Sequence, residues 1–201
     1  MARIQLWNGD ICDLEVDAIV SPASVTLWMS AGVGAAVKQR GGDAIEIAAI
    51  RQGPVALGDA IVTPAGRLAA MYVIHAVTID RGRRTSREAI GTAARNAIAR
   101  ARELDLQSVA IAALGTGVGG FPIDEAAAVT VAAVRDELDR SPSIDTVIFA
   151  LRGREAYAAF RDVLAATAAT AAAAALADVA ATAAAADDAA TADVADDGRP
   201  A

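Results

Sequence analysis

The chain has 201 residues, which suits one domain or one domain with an appendage, and although 55% of them are apolar, no stretch gathers the ~18 bulky apolar residues of a membrane span. One cysteine, Cys12, excludes an internal disulfide and a cysteine-based metal cage, and one histidine, His75, leaves metal chemistry to carboxylates alone, so neither metal nor cofactor is expected. The net charge of −7 is carried mostly by Asp178, Asp187, Asp188, Asp193, Asp196 and Asp197 near the C-terminus, so the body is close to neutral and general nucleic-acid binding is not expected.

The opening "MARIQLWNGD" has no basic region followed by an apolar core. No secretory signal is read there, and a reducing cytoplasm is the expected location. "RIQLWNGDI" alternates apolar and polar residues, as a half-buried strand does. "VDAIVSPA" reads as a short apolar strand closed by Ser21-Pro22. "SAGVGAAVKQRGG" becomes helical and meets Gly41-Gly42, where a helix should stop. "DAIEIAAIRQ" is a second helical run, and "GDAIVTPA" and "YVIHAVTI" are two further strands. "SREAIGTAARNAIARARELD" predicts a long amphipathic helix with Ser86 as its N-cap and Glu88 in its first turn. Strand "SVAIAAL", a glycine loop, and helix "IDEAAAVTVAAVRDELDR" introduced by Pro122 come next. "DTVIFAL" and "REAYAAFRDVL" are the last strand and helix.

Strands alternating with helices imply an α/β domain with a largely parallel sheet covered on both faces. Such sheets take ligands in the crevice beyond the strand carboxyl ends. Both "SPASVTLWMSAGVG" and "GTGVGGFP" fall at such ends. The final stretch, residues 166–201, is rich in alanine and aspartate and lacks a bulky apolar stripe to dock it. It is expected to be a disordered tail after a domain over residues 1–165.

The loop "LGTGVGGFP" packs Gly115, Gly117, Gly119 and Gly120 into six residues. Successive glycines leave main-chain N–H groups open to an anion, above all where they lead into a helix. The spacing fits neither a Walker A loop, since no Gly-Lys-Ser/Thr follows, nor a dinucleotide-binding fingerprint. The other reading of the loop is a tight turn needed only for packing. "SAGVGAAV" is a second small-residue loop that opens onto a helix. Two such loops suit a ligand with two phosphates. Asp10, at the end of the first strand, is placed either to accept from an exocyclic amine or to cap the turn that follows.

These blocks resemble the macrodomain family. "GDICDLEVDAIVSPAS", "LWMSAGVGAAVKQRGG", "GDAIVTPAGRLAAMYVIHAV", "ALGTGVGGFPIDEAA" and "VIFALRGREAYAAF" run in that family's order over about residues 3 to 164. The resemblance implies a three-layer α/β/α sandwich with a mixed, largely parallel central sheet that binds ADP-ribose, a derivative of it, or ADP-ribosylated macromolecules. It implies that Asp10 takes the adenine amine and that Ile11 lies beside the ring. Ala31, Gly32, Val33 and Gly34 would line the distal ribose and diphosphate. Gly115, Thr116, Gly117, Val118, Gly119, Gly120 and Phe121 would wrap the diphosphate, with the Thr116 hydroxyl within reach of a phosphate. Arg152 falls where the family often carries an aromatic against the adenine; a guanidinium plane can also stack on a base.

The chain departs from the family at the distal ribose. Ser21 and Ser24 stand at the two asparagine positions of the Asn-Ala-Ala-Asn segment, and serine has a shorter reach than an amide. The hydrolase branch carries a catalytic aspartate directly after Val33, where this chain has Gly34. Lys38 takes a basic position one helical turn on, and Gly119 replaces a frequent aromatic.

Hydrolysis needs a titratable group beside the reacting bond, and none is visible in these loops. His75 in its strand and Cys12 after Asp10-Ile11 read as core residues. Trp28 and Met29 either plug apolar surface or border the ribose pocket. Arg81, Arg83, Arg84 and Arg87 form either a solvated helix entry or a clamp for phosphates or an acidic partner. The expected function is ADP-ribose binding without the usual hydrolytic residues. The alternatives are an ADP-ribosyl or O-acetyl-ADP-ribose hydrolase of the Appr-1''-p processing type with an atypical mechanism, substrate-assisted hydrolysis among the options, and a pocket adapted to another nucleotide-like ligand.

Overall fold

A computed structural model describes residues 2–193, and of residues 174–193 the backbone alone. By contact density the chain divides into two units, Met1–Val163 and Leu164–Ala201. The first holds the whole sheet. Its strands are β1 (Arg3–Asn8), β2 (Ala18–Ser24), β3 (Ala60–Pro64), β4 (Tyr72–Ile79), β5 (Ser108–Ala112) and β6 (Thr146–Leu151). Its helices are α1 (Gly32–Gly41), α2 (Asp43–Ile50), α3 (Arg87–Glu103) and α4 (Ile123–Leu138), followed by the start of α5 (Arg154–Asp193). The second unit is helical as far as Asp193; the tail expected over 166–201 extends to residues 194–201, which lie outside the described ones. No helix among the described residues is long and apolar enough to cross a membrane.

The strand order is β1-β6-β5-β2-β4-β3, parallel throughout except for the β3–β4 pair. The sheet is thus mixed and largely parallel, as expected. Successive side chains of a strand point to opposite faces. Register partners Ile19, Val73 and Ala110 share the face covered by Val37 of α1 and Ile45 of α2. The other face is covered by α3 and α4, and there Phe149 of β6 meets Phe160 of α5 with ring centroids 5.0 Å apart. The central run Val109–Ala112 is buried at every position, which explains why it shows no alternation. Edge strand β1 alternates instead.

Two helix starts carry the caps their sequences call for. The Ser86 hydroxyl accepts the Ala89 N–H at 3.1 Å, and Pro122 stands at the N-cap of α4. One boundary differs from the sequence reading: β2 does not close at Ser21-Pro22 but runs on to Ser24. It is paired to β5 only over Ala18–Val20 and to β4 alone thereafter. Pro22 therefore sits where the strand is locally an edge, the place in a sheet that tolerates a residue without an N–H.

Candidate functional site

After β2 the chain turns to α1 on one face, and after β5 it turns to α4 on the other. Neighbouring strands that depart to opposite faces leave a crevice at their carboxyl ends. A cavity of about 650 Å³ lies there, lined in part by Ser21, Ser24, Trp28, Met29, Ala31, Gly34, His75 and Val118. It also takes in Asp80, Arg81 and Arg83 from the turn after β4.

Five of the expected site residues line this cavity: Ser21, Ser24, Ala31, Gly34 and Val118. Asp10, Ile11 and Arg152 lie outside its lining, at the ends of β1 and β6, which are paired to the last residue, Asn8 opposite Leu151. Asp10 Oδ1 accepts the Cys12 N–H at 3.0 Å and caps a single 3-10 turn, Ile11–Asp13. Its other oxygen stands 3.9 Å from an Arg152 guanidinium nitrogen. The Cys12 N–H chiefly, with help from Arg152, holds the Asp10 carboxyl below its ordinary value. Asp10 thus fills its capping role and keeps one oxygen directed at Arg152. Ile11 is core, buried with Val16 and Met29.

The glycine loop is shaped by its own backbone. Gly120 N–H donates to Gly117 O at 3.0 Å and Phe121 N–H to Gly115 O at 3.1 Å. Among the described residues, no backbone group accepts from the N–H groups of Gly117, Val118 or Gly119, while Leu114 and Gly115 form a turn that brings the Thr116 N–H toward Ala113 O. Gly115 has φ +79°, and a Cβ there would strike Ile90; a Cβ on Gly119 would come within 2.8 Å of Gly115 O. Glycine is required at both positions. Gly117 differs, because a Cβ there would meet nothing. The Thr116 hydroxyl spends its one hydrogen on Ala113 O at 3.2 Å.

The start of α1 offers a second set of free amides. Its N-cap, Ala31, makes no side-chain cap bond, so the first N–H groups of the helix lack a local acceptor. No acidic residue occupies its first turn. A helix N-terminus in this state attracts anions.

Among the described residues, no titratable group in or near the cavity is placed as a general base. His75, 1% exposed, shares a 2.9 Å hydrogen bond with the Thr63 hydroxyl through Nε2. Burial pushes its pKa down to about 4, so the ring is neutral at pH 7. Ser21, its register partner on β2, is also 1% exposed, and its hydroxyl has no hydrogen-bond partner. Asp80 accepts the Arg84 N–H at 2.8 Å and the Arg84 guanidinium at 3.3 Å. Lys38, the basic position of α1, donates to Glu46 at 2.8 Å. Burial pushes the Cys12 thiol up to about 12, with Asp10 adding to the effect, so it is no nucleophile at neutral pH. No cluster of three metal-ligating residues occurs among the described residues.

Three contributors escape a sequence reading. Glu46, 6% exposed, accepts the Met29 N–H at 2.8 Å and so fixes the cavity wall. The Thr85 hydroxyl is buried without a partner, and its side chain packs against the Gly119 backbone. Asp80 reaches the cavity from a turn with no motif of its own. Only Glu46 leaves a trace in the sequence, as a charge set between Ile45 and Ile47 on an apolar helix.

Comparison with known proteins bears directly on this arrangement. The family model described as Macro domain matches residues 20–130. An uncharacterized protein of Mycobacterium tuberculosis is 40% identical over 171 residues, covering 85% of this chain and 47% of that protein. The chain spans about half the length of the mycobacterial relatives it matches. A protein of Pyrobaculum aerophilum is 40% identical over 165 residues, 80% of this chain and 90% of that one. Among solved structures, a Trypanosoma brucei macrodomain in complex with ADP-ribose superposes with TM-score 0.75 at 23% identity, over 80% of this chain and 68% of that one.

Proposed function

The chain belongs to the macrodomain family, and from that premise we propose that it binds ADP-ribose or ADP-ribosylated targets along the carboxyl edge of its sheet without efficiently hydrolysing the ADP-ribosyl ester bond. The domain responsible is taken as residues 1–165. One observation carries the reading: the linear order of features along that edge. Strand order puts Asp10 after β1, Arg152 after β6, the glycine loop after β5, Ser21 and Ser24 on β2, and Asp80 after β4. With neighbouring strands about 4.8 Å apart, the amine acceptor and the cavity are separated by roughly 14 Å, with the free amides between them.

Each part of the ligand then meets matching chemistry. The open oxygen of Asp10 accepts from the adenine amine, and the Arg152 guanidinium lies against the base. The unshared N–H groups of the glycine loop and of the α1 start take the diphosphate. The distal ribose enters the cavity, whose lining includes the partly exposed Ser24. The Trypanosoma brucei macrodomain, which shares the fold and was solved in complex with ADP-ribose, supports the class of ligand.

Binding rather than turnover follows from the titratable groups. His75 is neutral and bonded to Thr63, Asp80 is engaged by Arg84, and no carboxylate stands at Gly34. Calorimetry with ADP-ribose tests the reading: heat of binding is expected, weaker for ADP, and its absence overturns the proposal. Incubation with a mono-ADP-ribosylated protein and with O-acetyl-ADP-ribose tests the rest. Robust turnover would establish the hydrolase instead.

A further inference from the structure

We infer that the rim of the cavity, formed by Trp28, Arg81 and Arg83, docks a nucleotide of a single-stranded nucleic acid that carries the ADP-ribose. The inference rests on ADP-ribose occupying the site as proposed above. Trp28 lines the cavity yet leaves 62% of its surface exposed, on a chain whose large apolar side chains are mostly buried. Its neighbour Met29 is the one that enters the core. The indole is therefore not needed as a plug, and it presents an open aromatic face at the mouth.

The arginines of the turn after β4 divide into two pairs. Arg84 is held by Asp80 at 3.3 Å and Arg87 by Glu125 at 2.6 Å. Arg81 and Arg83 line the cavity, are exposed, and have no carboxylate partner among the described residues. The one carboxylate on that rim, Asp80, already accepts from Arg84. What remains at the mouth is two uncompensated guanidiniums and one indole.

This combination suits one class of partner. An aromatic face stacks a base whatever its identity, and guanidiniums pair with backbone phosphates. An acidic peptide would use the arginines and leave the indole idle. The body's near-neutral charge is consistent with this, since one base and two phosphates need no extended basic tract. The contact is local and gains its strength from the ADP-ribose held beside it.

The test uses a five-nucleotide single-stranded DNA carrying ADP-ribose at one end, beside free ADP-ribose, the unmodified oligonucleotide and an ADP-ribosylated acidic peptide. Trp7→Phe leaves Trp28 as the only indole of the two. The linked oligonucleotide is expected to bind at least about tenfold tighter than free ADP-ribose and to quench Trp28, as one stacked base is worth roughly 5- to 150-fold. Its affinity should fall with salt more steeply than that of free ADP-ribose, by about 1.4 in the log–log slope for two phosphates. Arg81→Ala with Arg83→Ala should remove the extra slope, and Trp28→Ala should lower the ratio of the two affinities. Equal binding of linked and free ligand, or a larger gain for the acidic peptide, overturns the inference. If free ADP-ribose fails to bind, the site reading falls by itself. The unmodified oligonucleotide then decides: arginine-dependent quenching of Trp28 supports the rim, and no quenching overturns it.

Discussion

The buried carboxylate of Glu46 accepts the main-chain N–H of Met29 at 2.8 Å, and so ties helix α2 to the wall of the cavity. Its other oxygen accepts from Lys38 on α1 at 2.8 Å. Burial works against the charge, but the Lys38 and Met29 donors outweigh it and hold the carboxyl below its ordinary value. Glu46→Ala would leave the buried Met29 N–H without its acceptor, while Lys38 keeps Asp43 at 3.7 Å. We expect a loss of about 2–3 kcal/mol in denaturant unfolding and weaker ADP-ribose binding in calorimetry. Glu46→Gln, which keeps an acceptor for Met29, should lose less on both counts.

Asp10 has two duties that one substitution separates. Asp10→Asn keeps an oxygen for the Cys12 N–H but turns an NH₂ toward Arg152 and toward the adenine amine. Stability should stay within about 1 kcal/mol of the parent, the scale of a single cap. Affinity for ADP-ribose should drop tenfold or more. An unchanged affinity would mean that Asp10 serves the turn alone.

On the resemblance to macrodomains, Gly34 would stand where the hydrolase branch carries its aspartate. It has no positive φ, and a Cβ there would meet Met29 at an ordinary 3.6 Å. A Cβ at this buried position is therefore admitted, and Gly34→Asp supplies the first turn of α1 with the acid it lacks. Replacing glycine and complementing the helix end should together add about 1 kcal/mol of stability. Turnover of an ADP-ribosyl ester should rise above that of Gly34→Ala. Equal rates for the two variants would show that the carboxylate alone does not restore the chemistry.

How legible this was in the sequence depends on range. The elements were legible because apolar periodicity and caps are local: the Val109–Ala112 run, Ser86 and Pro122 sit where their chemistry predicts. The carboxyl-edge placement of Asp10, the glycine loop and the Ser21–Ser24 segment followed from strand ends alone. The strand continuing through Pro22 was not legible, since it depends on where the neighbouring strand β5 stops. Nor was the partner of Lys38, which requires α1 to turn sharply into α2 at Gly42, φ +109°. Thr85 reaches the glycine loop, and Asp80 with Arg81 reaches the cavity, only after β4 and β5 are set on either side of β2. No spacing in the chain encodes that.

The glycines of the phosphate loop should not be equivalent. Gly115→Ala forces a side chain into a left-handed backbone position and onto Ile90, and we expect a cost of roughly 1–3 kcal/mol with loss of binding. Gly117→Ala meets open space. It should leave the thermal midpoint unchanged while reducing affinity, because the new methyl stands where the ligand approaches the backbone.

His75 gives the fold a pH dependence of its own. Burial lowers its pKa to about 4, against 6.5 for an ordinary histidine. The folded residue stays neutral down to about pH 4, whereas the unfolded one takes up a proton below 6.5. Unfolding in that window binds a proton, so stability is full above pH 6.5 and falls as the pH drops, by on the order of 3 kcal/mol at pH 4. The carboxyls of Asp10, Asp17 and Glu46 also lie below their ordinary values, 3.8, 3.8 and 4.5 respectively, and their stabilisation is lost mainly at lower pH than this window. His75→Gln retains a partner for Thr63 but cannot titrate. Urea unfolding of this variant should show a flat stability between pH 6.5 and 5, where the parent declines. A parallel decline in both proteins would assign the loss to other groups.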